Sequence, residues 1–112
     1  MYRSHFTAVA LQDVKALPKN VRNPLKKEFE KKIHVDPIGC SEPLTGQLEN
    51  FRSFHFRDYR VVYRVFPNLS AVSVVGIGKK DEGHQAEIYQ KLEALAKQGK
   101  LAEAVLRALG RE

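Results

Sequence analysis

The chain has 112 residues, 43% of them apolar, and 19 Lys and Arg against 13 Asp and Glu give a formal net charge of +6. This is the size of one domain, residues 1–112, with a modest core. No apolar run approaches the roughly 20 residues that cross a bilayer, so no membrane partner is expected. Cys40 is the only cysteine, which rules out an internal disulfide and makes a reducing, cytoplasmic setting the expected one. Residues 1–6 lack the apolar core of a secretion signal. His5, His34, His55 and His84 are scattered without metal-ligand spacing, so neither a metal site nor a cofactor is expected.

Residues 2–6 read as a short first strand, with Tyr2, Ser4 and Phe6 on one side. A helix follows over 8–17, where Val9, Ala10, Leu11, Val14 and Leu17 make a broad apolar side, and Pro18 ends it. Val21, Leu25, Phe29 and Ile33 then recur every four residues, one face of an amphipathic helix whose other side carries Lys26, Lys27, Glu28, Lys31 and Lys32. Asn20 or Asn23 is expected to cap this helix, with Pro24 in its first turn, where a missing N–H costs little. The two helices form an αα-hairpin.

Residues 36–47, rich in Pro, Gly and Ser, read as a loop. The period then falls to two. Arg52, Phe54 and Phe56 point one way and Ser53 and His55 the other; a tight turn at Asp58 leads to Val61, Tyr63 and Val65 alternating with Arg60, Val62, Arg64 and Phe66. After a turn at Pro67-Asn68, residues 72–77 form a more apolar, interior strand. Turns this short require antiparallel neighbours. A last helical region begins near Gln85 with Ile88, Leu92 and Leu95 as its stripe, pauses at Gly99, and resumes with Leu101, Val105, Ala108 and Leu109. The expected class is α+β: a small antiparallel sheet of about four strands packed against an N-terminal helical hairpin, with a C-terminal helical extension from about residue 91 to 112.

The charge is unevenly spread. Between Arg52 and Lys80 the bases Arg52, Arg57, Arg60, Arg64, Lys79 and Lys80 face the single acid Asp58, which leaves five of the six excess positive charges in this stretch. Arginines fixed on a rigid sheet repel one another unless a partner neutralises them, which suits a polyanion such as nucleic acid. Most strand arginines are ordinary surface groups, and Arg57 and Arg64 are assigned to that class. Tyr63 shares a face with Val61 and Val65 and reads as core.

The element order, with Leu44-Thr45-Gly46-Gln47-Leu48, the tract from Asp58 to Val65 and Ile77-Gly78-Lys79-Lys80, resembles the RelE/ParE toxin superfamily, most closely the RelE-like mRNA interferases of bacterial toxin–antitoxin modules. The resemblance runs from about Tyr2 to Tyr89. It implies a RelE-like fold and a cytoplasmic toxin that cleaves mRNA in the ribosomal A site without a metal, by attack of a 2′-OH on the adjacent phosphate. It also implies a cognate antitoxin as partner, and operator DNA only through the antitoxin complex. Carried over residue by residue, the catalytic set is Arg60, Lys80, His55 as general base, and Tyr89 as a stacking or orienting group. Arg52, Lys79, His84, Lys26 and Lys27 are the expected RNA-binding residues, with His84 also a possible second acid–base group. Three departures stand out: Thr45 occupies a loop position held by arginine in the best-known members, Lys80 replaces a second arginine, and Asp81-Glu82-Gly83-His84 lengthens the link to Tyr89. The alternatives on the same fold are a ParE-like inhibitor of DNA gyrase and a non-toxic relative that only binds antitoxin.

Overall fold

Two apolar periodicities, four along residues 21–33 and two along the strands, bury against one another in the computed structural model, which describes residues 1–80 and 87–110. Among these residues the order is β1 (Arg3–Phe6), α1 (Ala8–Ala16), α2 (Lys19–Glu28), a wide π-type turn (Phe29–Ile33), β2 (Glu42–Pro43), a 3-10 turn (Gly46–Leu48), β3 (Arg52–Phe56), β4 (Tyr59–Phe66), a 3-10 turn (Pro67–Leu69), β5 (Ala71–Lys79), α3 (Glu87–Lys97) and α4 (Lys100–Leu109). The sheet has five strands in the order β1-β5-β4-β3-β2, with β1 parallel to β5 and every other pair antiparallel. The class is α+β, as expected. The strand beyond the four foreseen is the two-residue β2, taken from the segment read as a loop; its alternation is too short to register as a pattern.

The sheet is covered on both faces. On one, Leu25, Phe29 and Ile33 of the hairpin pack with Phe54, Val61, Tyr63 and Val72. On the other, Ile88 and Leu92 of α3 and Leu101 and Val105 of α4 pack with Leu48, Phe51, Val62 and Val75. The C-terminal extension, whose place the sequence left open, is therefore the second layer of the core. Each fully buried Leu, Ile, Val or Phe contributes about 1.5–3 kcal/mol.

The hairpin departs from the sequence reading at its cap. Pro18, not Asn20 or Asn23, occupies the N-cap position of α2, and Pro24 lies well inside the helix. Proline lacks the N–H that would bond the carbonyl four residues back. That carbonyl, Asn20 O, instead accepts from Arg57 Nη1 at 3.2 Å. Arg57 itself has φ 56°, a left-handed value that closes the β3–β4 turn.

One irregularity sets the geometry of the sheet. Val62 pairs with Gly76 but Tyr63 pairs with Val74, so Val75 is an extra residue in β5. Val72 and Val74 face the hairpin and Val75 faces the C-terminal helices. Past the bulge the alternation is reversed: Ile77 faces the hairpin, while Gly76 and Gly78 lie under Ile88 of α3. A Cβ on Gly76 would sit 2.6 Å from Ile88 Cδ1, and one on Gly78 would sit 2.8 Å from Ile88 Cβ. These glycines let α3 lie close against the strand. Among the described residues no helix is long and apolar enough to cross a membrane.

Because Ile88 Cδ1 can swing aside whereas its Cβ moves only with the helix, Gly78→Ala is expected to destabilise the fold by about 1–3 kcal/mol and Gly76→Ala by less. Urea unfolding of both variants, read as a shift in midpoint at constant slope, checks this order.

Candidate active site

The hairpin β3–β4 places His55 directly opposite Arg60, and β4–β5 places Arg60 directly opposite Gly78. Arg60 alternates with Val62, whose side chain belongs to the core beneath α3 and α4, so both lie on the C-terminal helix face. Beyond the bulge, Lys80 lies on that face too: its Nζ stands 5.7 Å from the centre of the Tyr89 ring. Its backbone N–H donates to Asp58 O at 2.6 Å, which ties the end of β5 to the β3–β4 turn. Tyr89 comes from the first turns of α3 and shares a hydrogen bond with Ser53, Oη to Oγ, at 2.7 Å. All four residues assigned to catalysis by the resemblance thus meet on one face, across three strands and one helix.

Arg60 is anchored rather than free. Its Nη1 donates to Tyr59 O at 2.9 Å and Arg57 O at 3.4 Å, while Nε is buried without a hydrogen-bond partner among the described residues. With Nη1 held by these carbonyls, Nη2 makes no hydrogen bond among the described residues and is the nitrogen left to meet an anion. His55 is exposed; partial burial and the positive charge of Arg60 hold its imidazole below the ordinary value of 6.5, with Lys80 adding in the same direction and Glu42 opposing. At neutral pH it is therefore an unprotonated base beside two cations. A cleft of about 270 Å³, lined by Leu44, Thr45, Leu48, Lys80, Tyr89, Gln90 and Glu93, continues from this row.

The residues expected to bind RNA are scattered by the fold. Arg52 points to the hairpin side, where Nε donates to Ser41 Oγ at 2.7 Å and Nη2 to Ser41 O at 2.9 Å and Ile38 O at 3.1 Å. Through these bonds it anchors the 36–43 loop. Lys79 points away from Lys80 and pairs with Asp58 at 3.5 Å. Lys26 and Lys27 belong to α2, whose buried side chains pack on the hairpin face, so the sheet separates them from Arg60 and Lys80. Lys26 lines an apolar groove of about 680 Å³ with Tyr2, Phe6, Arg22 and Phe29. His84 lies outside the described residues. Arg57 and Arg64 stack on Phe56 and Phe66 at 4.9 and 4.8 Å, and Tyr63 is wholly buried with its hydroxyl donating to Pro37 O at 2.7 Å. Ser53 was missed. A serine on a strand carries no signal, and its value comes only from α3 passing overhead.

The fold that carries this face is RelE-like. The isolated RelE toxin of E. coli is 27% identical, superposes with a TM-score of 0.62, and the match covers 88% of this chain and 99% of that one. The RelE of the intact E. coli RelBE toxin–antitoxin complex is 28% identical (TM-score 0.62, 73% of this chain and 100% of that one). The RelBE2 toxin–antitoxin complex of Mycobacterium tuberculosis shares the fold at 22% identity, with a TM-score of 0.67 over 70% of this chain and 91% of that one. No curated protein matches the chain in a sequence comparison. Residues 5–89 match the family described as ParE toxin of type II toxin-antitoxin system, parDE; the chain belongs to that family, within the RelE/ParE superfamily, and is a toxin of a type II toxin–antitoxin system.

The electrostatics of His55 give a testable sign. Its neutral fraction rises as pH climbs through a value below 6.5. Removing a cation by Arg60→Ala or Lys80→Ala should raise that value, and removing the opposing charge by Glu42→Gln should lower it further. Following the imidazole resonance of His55 by NMR from pH 4 to 8 in the three variants measures each direction.

Proposed function

We propose that this toxin is an endoribonuclease that cleaves mRNA, with the ribosomal A site as its place of action. The observation that carries this reading is the convergence of His55, Arg60, Lys80 and Tyr89 on one sheet face, with His55 lowered by partial burial and by the cations beside it. Neutral His55 takes the proton of a ribose 2′-OH, and the resulting oxygen attacks the adjacent phosphorus. The Arg60 guanidinium and the Lys80 ammonium stabilise the charge on the pentavalent phosphorane. The bond to the 5′-oxygen breaks and that oxygen takes up a proton, leaving a 2′,3′-cyclic phosphate and a 5′-OH. Tyr89, tied by Ser53, holds a base in place by stacking.

A cognate antitoxin is the proposed protein partner, as RelB is for RelE in the E. coli complex, and operator DNA is reached only through that complex. The second reading, a ParE-like inhibitor of DNA gyrase, is favoured by the family description that matches residues 5–89. Thr45, in place of the loop arginine, and Lys80, in place of a second arginine, favour it as well. It makes no use of the cationic row.

Induced expression of the chain should arrest growth by stopping translation, with new mRNA ends bearing 5′-OH. Arg60→Ala is expected to lower cleavage by about 100-fold or more, and Arg60→Ala combined with Lys80→Ala should restore growth while the circular dichroism spectrum stays unchanged. Equal toxicity of the double variant removes the proposed site; a DNA-damage response with intact mRNA selects gyrase.

A further inference from the structure

We infer that Asp13 is a positioning residue for Lys80, acting through the backbone of Ile77 from α1, which packs on the opposite face of the sheet. The inference rests on the ribonuclease reading, in which Lys80 meets the phosphate. It adds to that reaction a residue that touches neither substrate nor reacting atoms.

Strand β5 outlasts its neighbour on one side. β1 pairs with it only from Arg3 opposite Ala71 to Phe6 opposite Val74. At Thr7 the chain leaves the sheet: its N–H donates to Val74 O at 3.0 Å, and its hydroxyl accepts from Ala10 N at 3.2 Å to cap α1. β5 runs on to Lys79, paired with β4 along its other side. Past Val74 no strand among the described residues supplies acceptors on the side that β1 has left. Ile77 is buried, and a buried N–H without a partner is strongly disfavoured. The acceptor comes from α1, where the half-buried Asp13 takes the Ile77 N–H on Oδ2 at 3.0 Å. A carboxylate thus stands in for the missing strand.

The bond falls where β5 has most freedom to wander. Ile77 lies between Gly76 and Gly78, just past the bulge, and glycine has the widest range of backbone conformations. Asp13 pins the residue between them. Beyond it Gly78 pairs with Arg60, Lys79 with Tyr59, and the Lys80 N–H reaches Asp58 O at 2.6 Å. Release of Ile77 therefore loosens the strand end that carries Lys80, while the stretch paired with β1 stays whole. A charged group displaced by about 1 Å from a reacting phosphate loses much of its effect on rate.

Cleavage kinetics and native-state amide exchange on the full chain test this with Asp13→Ala, Asp13→Asn and Lys80→Ala. Asp13→Ala should lower kcat for RNA cleavage about 10-fold with KM little changed. Asp13→Asn, whose side-chain carbonyl still accepts, should retain the wild-type rate. In the Lys80→Ala background Asp13→Ala should have no further effect, since it acts through that lysine. The Lys80 amide should exchange about 10-fold faster in Asp13→Ala relative to the Val62 amide, the mark of local loosening at the strand end. Asp13→Leu, similar in shape and without an acceptor, replaces Asp13→Ala if that variant does not fold. Equal losses in the two backgrounds, equal losses in Asp13→Asn and Asp13→Ala, or a Lys80 amide that accelerates only as much as Val62 would each overturn the inference. The exchange measurement needs no cleavage, so the two readings fail separately. Faster Lys80 exchange in a chain that cleaves no RNA discards the ribonuclease and leaves Asp13 as the hold on Lys80. Cleavage in which the two losses add discards the role of Asp13 and leaves the ribonuclease.

Discussion

A single additional residue in β5 decides the geometry of this molecule. Strand side chains alternate strictly, so without the bulge at Val75 residues 76, 78 and 80 would lie on the hairpin face. With it, they lie under α3. The reversal puts Gly76 and Gly78 where helix backbone can approach and puts Lys80 on the face that carries Arg60 and His55. Close helix packing and the clustering of cations are therefore one structural event. The glycines are also where it is most exposed to mutation, since a Cβ at Gly78 meets the stem of Ile88 and not its flexible end.

The cations need holding as well as gathering. Arg60 is fixed by carbonyls at the end of its own strand and the adjoining turn, and Lys80 by its backbone bond to Asp58 and by its approach to the Tyr89 ring. Positive groups arranged in advance repel one another in the free protein, and that repulsion is relieved when a phosphate arrives. Partial burial, together with the same field, holds His55 below its ordinary value. Binding strength and basicity follow from one arrangement.

Elements far from the row hold its frame. Pro24 frees the Asn20 carbonyl, Arg57 takes it up, and the β3–β4 turn is thereby fastened to α2. Arg52 and Tyr63 fasten the 36–43 loop to the sheet through Ser41, Ile38 and Pro37. That loop leads into Leu44 and Thr45, which line the cleft beside Tyr89. Two of the tract's bases thus serve as fasteners, and not all of the tract's positive charge stands in the row with Arg60 and Lys80.

The chain pattern by itself determined the hairpin stripe of Val21, Leu25, Phe29 and Ile33, the strands on either side of Asp58, the helices after residue 86, and the family, because these are written in local periodicity and short motifs. It did not determine β2, two residues long, or the helix cap, where Pro18 took the place of Asn20 or Asn23. Nor did it say that α4 closes the second face of the sheet. Nor did it place Arg52, Lys79, Lys26 and Lys27 relative to the row, because charge in a sequence has no direction; pairing and the packing of their elements set them away from it. Ser53 was silent because its hydrogen bond is to a residue 36 positions away. Tertiary structure decided those points, since the side on which a side chain emerges depends on one bulge and one helix packed above it.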